Sequence, residues 1–448
     1  MSGGWLVLIA ALGVLFLLFL VMKTKLQAFI ALIVVSYLVG IFSGLDLADI
    51  IKAVQAGMGG TVGEIAVIIG MGAMFGEILK VSGGAERLAL YLTKKFGESR
   101  VHWALALTGF IISIPVFLDV AFVILVPILY SMARRTKKSL LFFGIPLLAG
   151  LAVTHSFVPP TPGPIATAAL VHANIGWVIL FGLIAGIPAT ILAGPVFGKY
   201  IAGKIHVKVP EYMISETEEI DDSKELPNFW TIASLIILPL ALILLNTLSA
   251  ATLPEGNGLR AILTFIGNPF VALTITTLLT LWVLGTKRGY SKDELQEICT
   301  KALEPAGIII LITGAGGVFG QVLVETGVGD VLANAMKDAH MPLIIFAFLI
   351  AAIVRIAQGS ATVAMITAGS LVSPVIGAFD VSGAMLGLLV IAISCGATIA
   401  SHVNDSGFWL VNRFFGMSEK DTLKSWTVME TIIALVGFAV VLLISLFI

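Results

Sequence analysis

Charged residues are scarce in this sequence. Only 12% of its 448 residues are Asp, Glu, Lys or Arg, whereas 58% are apolar. Soluble globular domains carry about twice that share of charge, so the composition excludes a soluble protein and predicts a polytopic membrane protein. The 26 basic and 27 acidic residues give a net charge of −1, which provides no basic surface for nucleic acid.

Cysteines and catalytic motifs are also nearly absent. The two cysteines, Cys299 and Cys395, lie far apart, so we predict neither a disulfide framework nor a CxxC metal or redox site. The sequence contains no HExxH motif, no pair of DxxD motifs and no Ser/His pair on neighbouring turns of one helix. We therefore expect no enzyme activity, no bound metal and no cofactor.

Long apolar runs are abundant. The first run, residues 4–22, has no charge, and its 19 residues are enough to cross a hydrocarbon core of about 30 Å. We predict ten crossings in total. They are residues 4–22, 26–43, 61–80, 139–172 with a break, 174–203, 229–250, 260–286, 304–325, 382–413 with a break, and 427–448.

Two further apolar stretches, residues 102–133 and 342–377, are too long for one crossing and too short for two. Each has a polar middle, at residues 115–119 and 355–362. We predict that both are re-entrant helical hairpins, since a bent backbone at membrane depth is tolerated only where it is buried in protein or faces water. The alternative is a pair of short, complete crossings in each stretch.

The basic residues orient the chain. With both hairpins returning to their own side, 22 of the 26 Lys and Arg residues fall on one side of the membrane, and Lys52, Arg260 and Lys337 fall on the other. Arg355 lies within the membrane. The positive-inside rule makes the basic side cytoplasmic and places both termini outside. The polar segment 204–228 is then a cytoplasmic linker.

An internal repeat relates the two halves. Residues 72–83 and 316–327 share five identities in twelve positions without a gap, and the order of features after each segment is the same. Under the predicted orientation the two copies run in opposite directions. Inverted repeats with broken helices that meet near the midplane are typical of secondary transporters.

The repeat defines the predicted domain organisation. Scaffold helices occupy residues 1–60 and 229–303, on either side of a first repeat at 61–203 and the linker at 204–228; the second repeat is 304–448. The hairpin and broken helix are 102–133 and 139–172 in the first repeat, and 342–377 and 382–413, followed by the final span 427–448, in the second.

Four polar clusters interrupt the apolar segments at the hairpin tips and helix breaks. Helix breaks leave N–H groups without partners, and the positive ends of such half-helices suit a carboxylate. The alternative is that the clusters are only kinks near helix ends. The candidate substrate-binding residues are Asp119, Thr154, His155, Thr161, Gly163, Arg355, Gln358, Gly359, Ser360, Thr362, His402, Asn404, Asp405 and Ser406.

Ionisable groups inside a membrane are costly, so each is a functional hypothesis. Arg355 could pair with a substrate carboxylate or form a structural ion pair with Asp119 or Asp405. Asp119, Asp405, His402 and His155 are candidates for carrying a coupled proton. For the histidines, a hydrogen bond to a neighbouring carbonyl is an equally good explanation.

The motifs resemble those of the gluconate permease family of bacterial sugar-acid:proton symporters, within the ion transporter superfamily. The resemblance covers nearly the whole chain. It is carried by Gly59–Thr61, Gly72–Gly76, Val153–His155, Pro159–Pro160, Pro162–Pro164, Ala193–Pro195, Gly359–Ala364, Ser401–Asp405 and Gly407–Trp409.

The resemblance implies an all-α, elevator-type transporter of the bacterial inner membrane that imports gluconate or a related aldonate with protons, working as a homodimer. Two positions depart from the common family pattern. Thr161 stands where relatives often have His, which removes a titratable group, and Asp119 stands where many have Glu.

Two alternatives remain open from the residues. One is a symporter of the same fold for another small acid, such as glycerate, fructuronate or D-serine, with sodium as a possible coupling ion. The other is a passive channel, which nothing in the inverted repeat requires. The residues leave open the exact substrate, the stoichiometry, the proton-carrying group and the resting conformation.

Overall fold

The computed structural model describes residues 3–210 and 226–448, and every regular element in these two ranges is helical. The first part contains α1 (Gly3–Met22), α2 (Ala28–Phe42), α3 (Leu47–Val81), α4 (Gly84–Phe96), α5 (Val101–Ile112), α6 (Leu118–Thr136), α7 (Leu141–Phe157), α8 (Pro162–Leu170), α9 (Ile175–Ile191) and α10 (Phe197–Ala202). The second contains α11 (Phe229–Thr252), α12 (Gly258–Ile266), α13 (Pro269–Thr280), α14 (Lys292–Thr326), α15 (Val328–Asp338), α16 (Leu343–Gln358), α17 (Ala361–Ile376), α18 (Gly383–Thr398), α19 (Ser406–Phe415), α20 (Glu419–Thr422) and α21 (Val428–Ser445).

The predicted all-α membrane architecture is confirmed. Among the described residues, eight helices or helix pairs are long and apolar enough to cross a membrane: α1, α3, α7 with α8, α9 with α10, α11, α13 with its extension to Arg288, α14, and α20 with α21. The other two predicted crossings correspond to the shorter apolar helix α2 and to α18, which continues after a break into α19.

Both predicted hairpins are present as helix pairs. α5 and α6 are joined by residues 113–117, and α16 and α17 by residues 359–360. Asp119 after the first turn and Ser360 in the second line the same cavity. Two complete crossings would place each turn at a membrane surface, whereas a shared cavity requires both turns to lie at one depth, so the structure favours re-entrant hairpins.

The two halves repeat the same order of elements. α3 and α14 each contain 35 residues and end next to a glycine with positive φ, Gly83 (φ 78°) and Gly327 (φ 71°). A short amphipathic helix follows in each half, α4 or α15, and then come a hairpin, a broken helix and a final span. The positive φ suits glycine because a Cβ in that conformation clashes with the backbone.

The contact between α3 and α14 shows that the repeats are inverted. Gly314 packs against Met58 and Gly70 packs against Leu303, so α14 runs backward as α3 runs forward. When the two repeats are aligned with residue 72 on residue 316, each of these contacts falls on the other to within one residue. The relation is therefore an approximate two-fold axis that passes through the crossing of the two longest helices.

Several helix bounds differ from the predicted spans. α3 begins at Leu47 and α14 at Lys292, so the predicted domain boundaries at residues 60 and 303 fall inside these helices. The first turns of α3 and α14 are polar, but their side-chain interactions stabilise helix. Lys52 pairs with Asp49 at 2.8 Å, and Ser291 forms a capping box with Glu294.

The predicted span 260–286 is divided at residue 268, where Asn268 caps α13 and Pro269 begins it. Of the predicted linker 204–228, residues 211–225 lie outside the described residues. Asn228 accepts a hydrogen bond from the Trp230 N–H and so marks the start of α11.

Gly57 allows the close crossing of α3 and α14. A Cβ at this position would lie 2.5 Å from Gly317 O and 2.7 Å from Val318 Cα, which are backbone atoms that cannot rotate away. We expect Gly57→Ala to destabilise the protein by about 1–3 kcal/mol through overpacking. Thermal unfolding of the purified protein in detergent measures this.

Gly63→Ala is the matched control, because Gly63 lies on the same helix and a Cβ added there would meet no atom within 4 Å. It should be neutral or stabilising, since Ala favours helix. Equal unfolding temperatures for the two variants would contradict the assigned crossing.

Candidate functional site

A polar cavity of about 350 Å³ lies between the two hairpin turns, the end of α7, the break before α19 and the start of α21. Its volume is within the range of small-molecule sites. Ala152 and His155 lie close to the middle of the α7–α8 span, so the cavity is near the midpoint of that span. Its lining residues are Leu118, Asp119, Ala152, His155, Ser156, Arg355, Ser360, Ala361, Thr362, Asp405, Ser406, Gly407, Leu410, Trp426 and Glu430.

Three helix N-termini meet at this cavity. The first residues of α6, α17 and α19 all line it: Leu118 and Asp119, Ala361 and Thr362, and Ser406 and Gly407. The first turn of a helix has N–H groups with no intrahelical acceptor and carries a partial positive charge. The folding of the two hairpins and of the second broken helix therefore concentrates hydrogen-bond donors at one place.

Arg355 supplies the positive charge of the cavity. It lies in the last turn of α16 with only 2% of its surface exposed, and its Nη2 donates to Asp405 Oδ2 at 2.6 Å. Its Nε and Nη1 have no hydrogen-bond partner among the described residues. The structure thus shows the ion pair with Asp405 that the sequence left as an alternative, and it leaves two donor groups for another acceptor.

Asp405 is held by three donors. Oδ2 accepts from Arg355 and, in a short hydrogen bond, from Ser401 Oγ, while Oδ1 accepts from Gly407 N at 3.1 Å. Trp426 Nε1 donates to Ser401 Oγ at 2.7 Å. This network connects the second helix break to the last span and fixes the Asp405 carboxylate in place.

Asp119 and His155 are the ionisable lining residues that the first half contributes to the cavity. Asp119 is exposed and belongs to the first turn of α6. The His155 ring meets Phe117 edge-on at 6.3 Å between centroids, and its Nδ1 has no partner among the described residues. Both residues line the cavity.

Three candidates on the first broken helix lie outside the cavity. The Thr154 hydroxyl donates to Phe110 O at 2.9 Å, and the Thr161 hydroxyl donates to Val158 O at 2.7 Å. Gly163 packs against Met365. The two threonine hydroxyls thus bond to backbone carbonyls. The break at residues 158–161 faces α3 and the first hairpin turn instead of the cavity.

Four candidates on the second half hold the hairpin turn to the helix break and do not line the cavity. Asn404 Nδ2 donates to Ile356 O at 3.0 Å, and His402 Nε2 lies 3.0 Å from the same oxygen. Gly359 packs against Asn404 with φ 92°, and Gln358 Nε2 donates to Ser360 O at 3.1 Å. These residues satisfy the backbone of the turn at the end of α16.

Three polar lining residues were not among the predicted ones: Ser156, Trp426 and Glu430. Glu430 is buried, with 4% of its surface exposed, and it belongs to the first turn of α21. The signal that could have identified it is its charge inside the predicted span 427–448. Among the described residues, no group of three or more His, Cys, Asp or Glu side chains is arranged to hold a metal ion.

Inverted repeats, two hairpins and broken helices around a polar cavity define a membrane transport protein. The model of the GntP permease family, described as "GntP family permease", matches residues 5–447. The chain belongs to this family, and the resemblance found in the motifs is confirmed. It is a multi-span permease and not an enzyme.

Curated relatives agree with this assignment. The chain is 46% identical to the "Low-affinity gluconate transporter" of Escherichia coli (strain K12) over 96% of each chain. It is 41% identical to the "Gluconate permease" of Bacillus subtilis (strain 168) over 98% of this chain and 99% of that one. It is 38% identical to the "Gnt-II system L-idonate transporter" of Escherichia coli (strain K12), over 98% and 99% of the two chains.

The crystal structure of the Alcanivorax borkumensis YdaH transporter, described as having an unusual topology, is a structural neighbour. It superposes with a TM-score of 0.62 over 90% of both chains, at 14% sequence identity. At this identity the likeness concerns the fold alone.

Arg355→Gln tests the buried ion pair. Removing the guanidinium leaves the carboxylate of Asp405 buried without its charged partner, so we expect a loss of about 3–5 kcal/mol in unfolding free energy. The double variant Arg355→Gln/Asp405→Asn should recover most of that loss, because the buried charge is then gone and Asn still caps α19. Chemical unfolding in detergent micelles measures both.

If the double variant is no more stable than Arg355→Gln alone, the pair does not have the energetic role assigned to it. Lys52→Gln is the control, since Lys52 and its partner Asp49 are exposed and loss of this surface pair should leave the unfolding free energy nearly unchanged.

Proposed function

We propose that this permease imports gluconate or a closely related sugar acid across the cytoplasmic membrane by proton symport. The observation that carries the proposal is the buried Arg355, which has two donor groups without a partner among the described residues and lines a cavity that three helix N-termini also line. The names of the relatives support a sugar acid as the substrate.

The site suits a carboxylate at one end of the substrate. Arg355 Nε and Nη1 lack partners among the described residues, and a charge-assisted hydrogen bond to a carboxylate is about twice as strong as a neutral one. The first turns of α17 and α19 line the same cavity, and their positive helix ends also favour an anion. A substrate carboxylate bound there would complete the set of acceptors around the guanidinium.

The rest of the lining suits hydroxyl groups. Ser156, Ser360, Thr362 and Ser406 line the cavity, and each hydroxyl both donates and accepts. A polyhydroxy chain bound through its carboxylate at Arg355 would have these side chains around it. Asp119 also lines the cavity and can accept hydrogen bonds from substrate hydroxyls, and its shorter side chain leaves more room than Glu would.

The charge of the cavity supports coupling to protons. Asp119, Asp405 and Glu430 contribute three carboxyl groups, and Arg355 contributes one positive charge. An entering anion therefore meets an excess of negative charge in a site of low dielectric. Uptake of a proton together with the anion removes that repulsion.

We further propose an elevator mechanism in a homodimer. All the cavity residues belong to the two hairpins, the end of α7, the α19 break and the last span, and none belongs to α1–α3 or α11–α14. A site built only from one group of elements can move as a unit against the others. That arrangement supports a transport domain sliding along a scaffold.

L-idonate is the second candidate substrate, because a relative named for its transport is 38% identical over 98% of this chain. The two acids have the same carboxylate and differ in hydroxyl configuration, so the same Arg355 site would serve either. Competition between the two acids ranks them.

Transport itself is tested in proteoliposomes. We expect labelled gluconate to accumulate when an inward proton gradient is applied, because the proton lowers the charge cost of binding. A sodium gradient of the same size should not drive accumulation. Uptake driven by sodium alone, or flux that neither saturates nor responds to a gradient, would contradict proton symport.

The Arg355→Gln/Asp405→Asn variant separates binding from folding in this assay. It keeps the cavity without the guanidinium, and we expect at least tenfold weaker gluconate binding, equal to about 1.4 kcal/mol. Binding equal to that of the wild type would remove Arg355 from the substrate site.

The orientation follows the distribution of basic residues, and we propose that the termini lie outside and the Lys204–Pro210 side is cytoplasmic. In a background without Cys299 and Cys395, we expect a membrane-impermeant thiol reagent to label Glu255→Cys in intact cells and to label Lys292→Cys only after lysis. Both positions are exposed. The reverse labelling pattern would invert the topology.

A further inference from the structure

We propose that Glu430 carries the coupled proton, and that its carboxylate and the substrate carboxylate compete for Arg355. The inference rests on the proposed function and assigns its coupling step to one side chain. Glu430 lies on the last span, outside the polar clusters at the hairpin turns and helix breaks.

The position of Glu430 points to a role other than folding. Glu430 is buried at the cavity wall, and its Oε1 has no hydrogen-bond partner among the described residues. It caps no helix and forms no ion pair within 4.0 Å in the described part of the chain. A buried carboxyl group with an unsatisfied oxygen costs free energy, which a structural residue at this position would avoid.

The inverted repeat shows that Glu430 is an exception to the symmetry. When residue 72 is set on residue 316, Glu430 falls on Gly186, which packs against Val153 and Phe110. A small residue is therefore sufficient for the packing at this place in the fold. The second repeat instead has a carboxyl group, and a π-turn at Leu423–Thr427 directly precedes α21. Such turns within helices are frequent at functional sites.

The elements that pack on α21 carry few other titratable or charged side chains near Glu430. α9 and the π-turn at Leu192–Val196, which both pack on α21, have no titratable side chain. The charged and titratable groups on the remaining neighbours are His155 on α7, Cys395 on α18, Lys424 on the preceding π-turn, and Arg355, Asp405 and Asp119 around the cavity. Lys424 is exposed, and Cys395 lies against Gly437, two turns further along α21.

The remaining carboxyl groups are poorly placed to exchange a proton during binding. Asp405 accepts from Arg355, Ser401 and Gly407, so a proton on it would break a complete set of hydrogen bonds. Asp119 is exposed, so water can solvate its charge whether or not substrate is present. Glu430 is both buried and short of donors.

In the proposed step, the substrate carboxylate replaces the Glu430 carboxylate as the counter-charge of Arg355. Without substrate, an ionised Glu430 shares the cavity with the Arg355 guanidinium, which partly compensates its charge without a direct ion pair. When the substrate carboxylate binds the free N–H groups of Arg355, Glu430 loses that compensation and takes a proton from the outer solution onto a carboxylate oxygen. The proton leaves to the cytoplasm after the substrate does, and no covalent bond of the substrate changes.

Gluconate binding to the purified protein at several pH values tests the exchange. If binding requires a proton on Glu430, the wild-type Kd rises about tenfold per pH unit where Glu430 is ionised in the free protein. In Glu430→Gln, which resembles the protonated carboxyl, we expect a Kd that does not change with pH. Glu64→Gln is the matched control, a carboxylate on a spanning helix outside the cavity, and should keep the wild-type dependence.

Transport provides the second measurement. Glu430→Gln proteoliposomes should exchange labelled for unlabelled gluconate but should no longer accumulate it under a proton gradient. Wild-type pH dependence or proton-driven accumulation in Glu430→Gln would overturn the proposal. So would loss of all binding in a variant that elutes as intact protein in gel filtration, since Glu430 would then be a substrate contact.

The outcome for the wild type separates this proposal from the proposed function. If the wild type binds gluconate without any pH dependence and does not respond to a proton gradient, proton coupling itself is wrong. If the wild type shows both effects and only His155→Gln removes the pH dependence, symport stands and the assignment to Glu430 fails.

Discussion

The structure depends on one constraint: a backbone that turns inside a membrane must find its hydrogen-bond partners within the protein. The chain turns or breaks at four such places, after α5, α7, α16 and α18. Asn404 donates to the carbonyls of Ile356 and Ala357, so the second turn and the second break satisfy each other. The starts of α6, α17 and α19 line the cavity, and there Ser360 and Asp405 cap α17 and α19 by accepting from Val363 N and Gly407 N.

Much of this architecture could be predicted from apolar length and polar interruptions alone. The hairpins and both breaks were predicted within a few residues, because Pro159, Pro160 and the Gly359–Ser360 turn interrupt otherwise apolar sequence. The starts of α3 and α14 were missed, since polar turns outside the apolar core also form helix. The lining of the cavity was harder: Thr154 and His155 are adjacent, yet only His155 faces the cavity, and sequence does not determine how a kinked helix is rotated.

The two repeats have the same order of elements, but their helix breaks have different surroundings. In the first, the break at residues 158–161 is packed against α3 and the first hairpin turn, with almost no space between them. In the second, the break contributes Asp405 and Ser406 to the cavity and receives Arg355 from the hairpin. The break in the first half is thus tightly packed, whereas the second half contributes most of the charged residues of the cavity. The approximate symmetry relates the helices of the two halves, but Arg355, Asp405 and Glu430 have no charged counterpart at the matching positions, which are Ile111, Thr161 and Gly186.

The absence of cavity residues from α1–α3 and α11–α14 has an evolutionary consequence. Those helices expose many large apolar side chains, such as Leu15, Trp230 and Leu278, which suit contact with lipid. The cavity side chains, Ser360 and Ser406 among them, belong to other helices. A substitution there changes the cavity without changing any residue of α1–α3 or α11–α14, so the cavity lining and the outward-facing helices can vary independently in evolution.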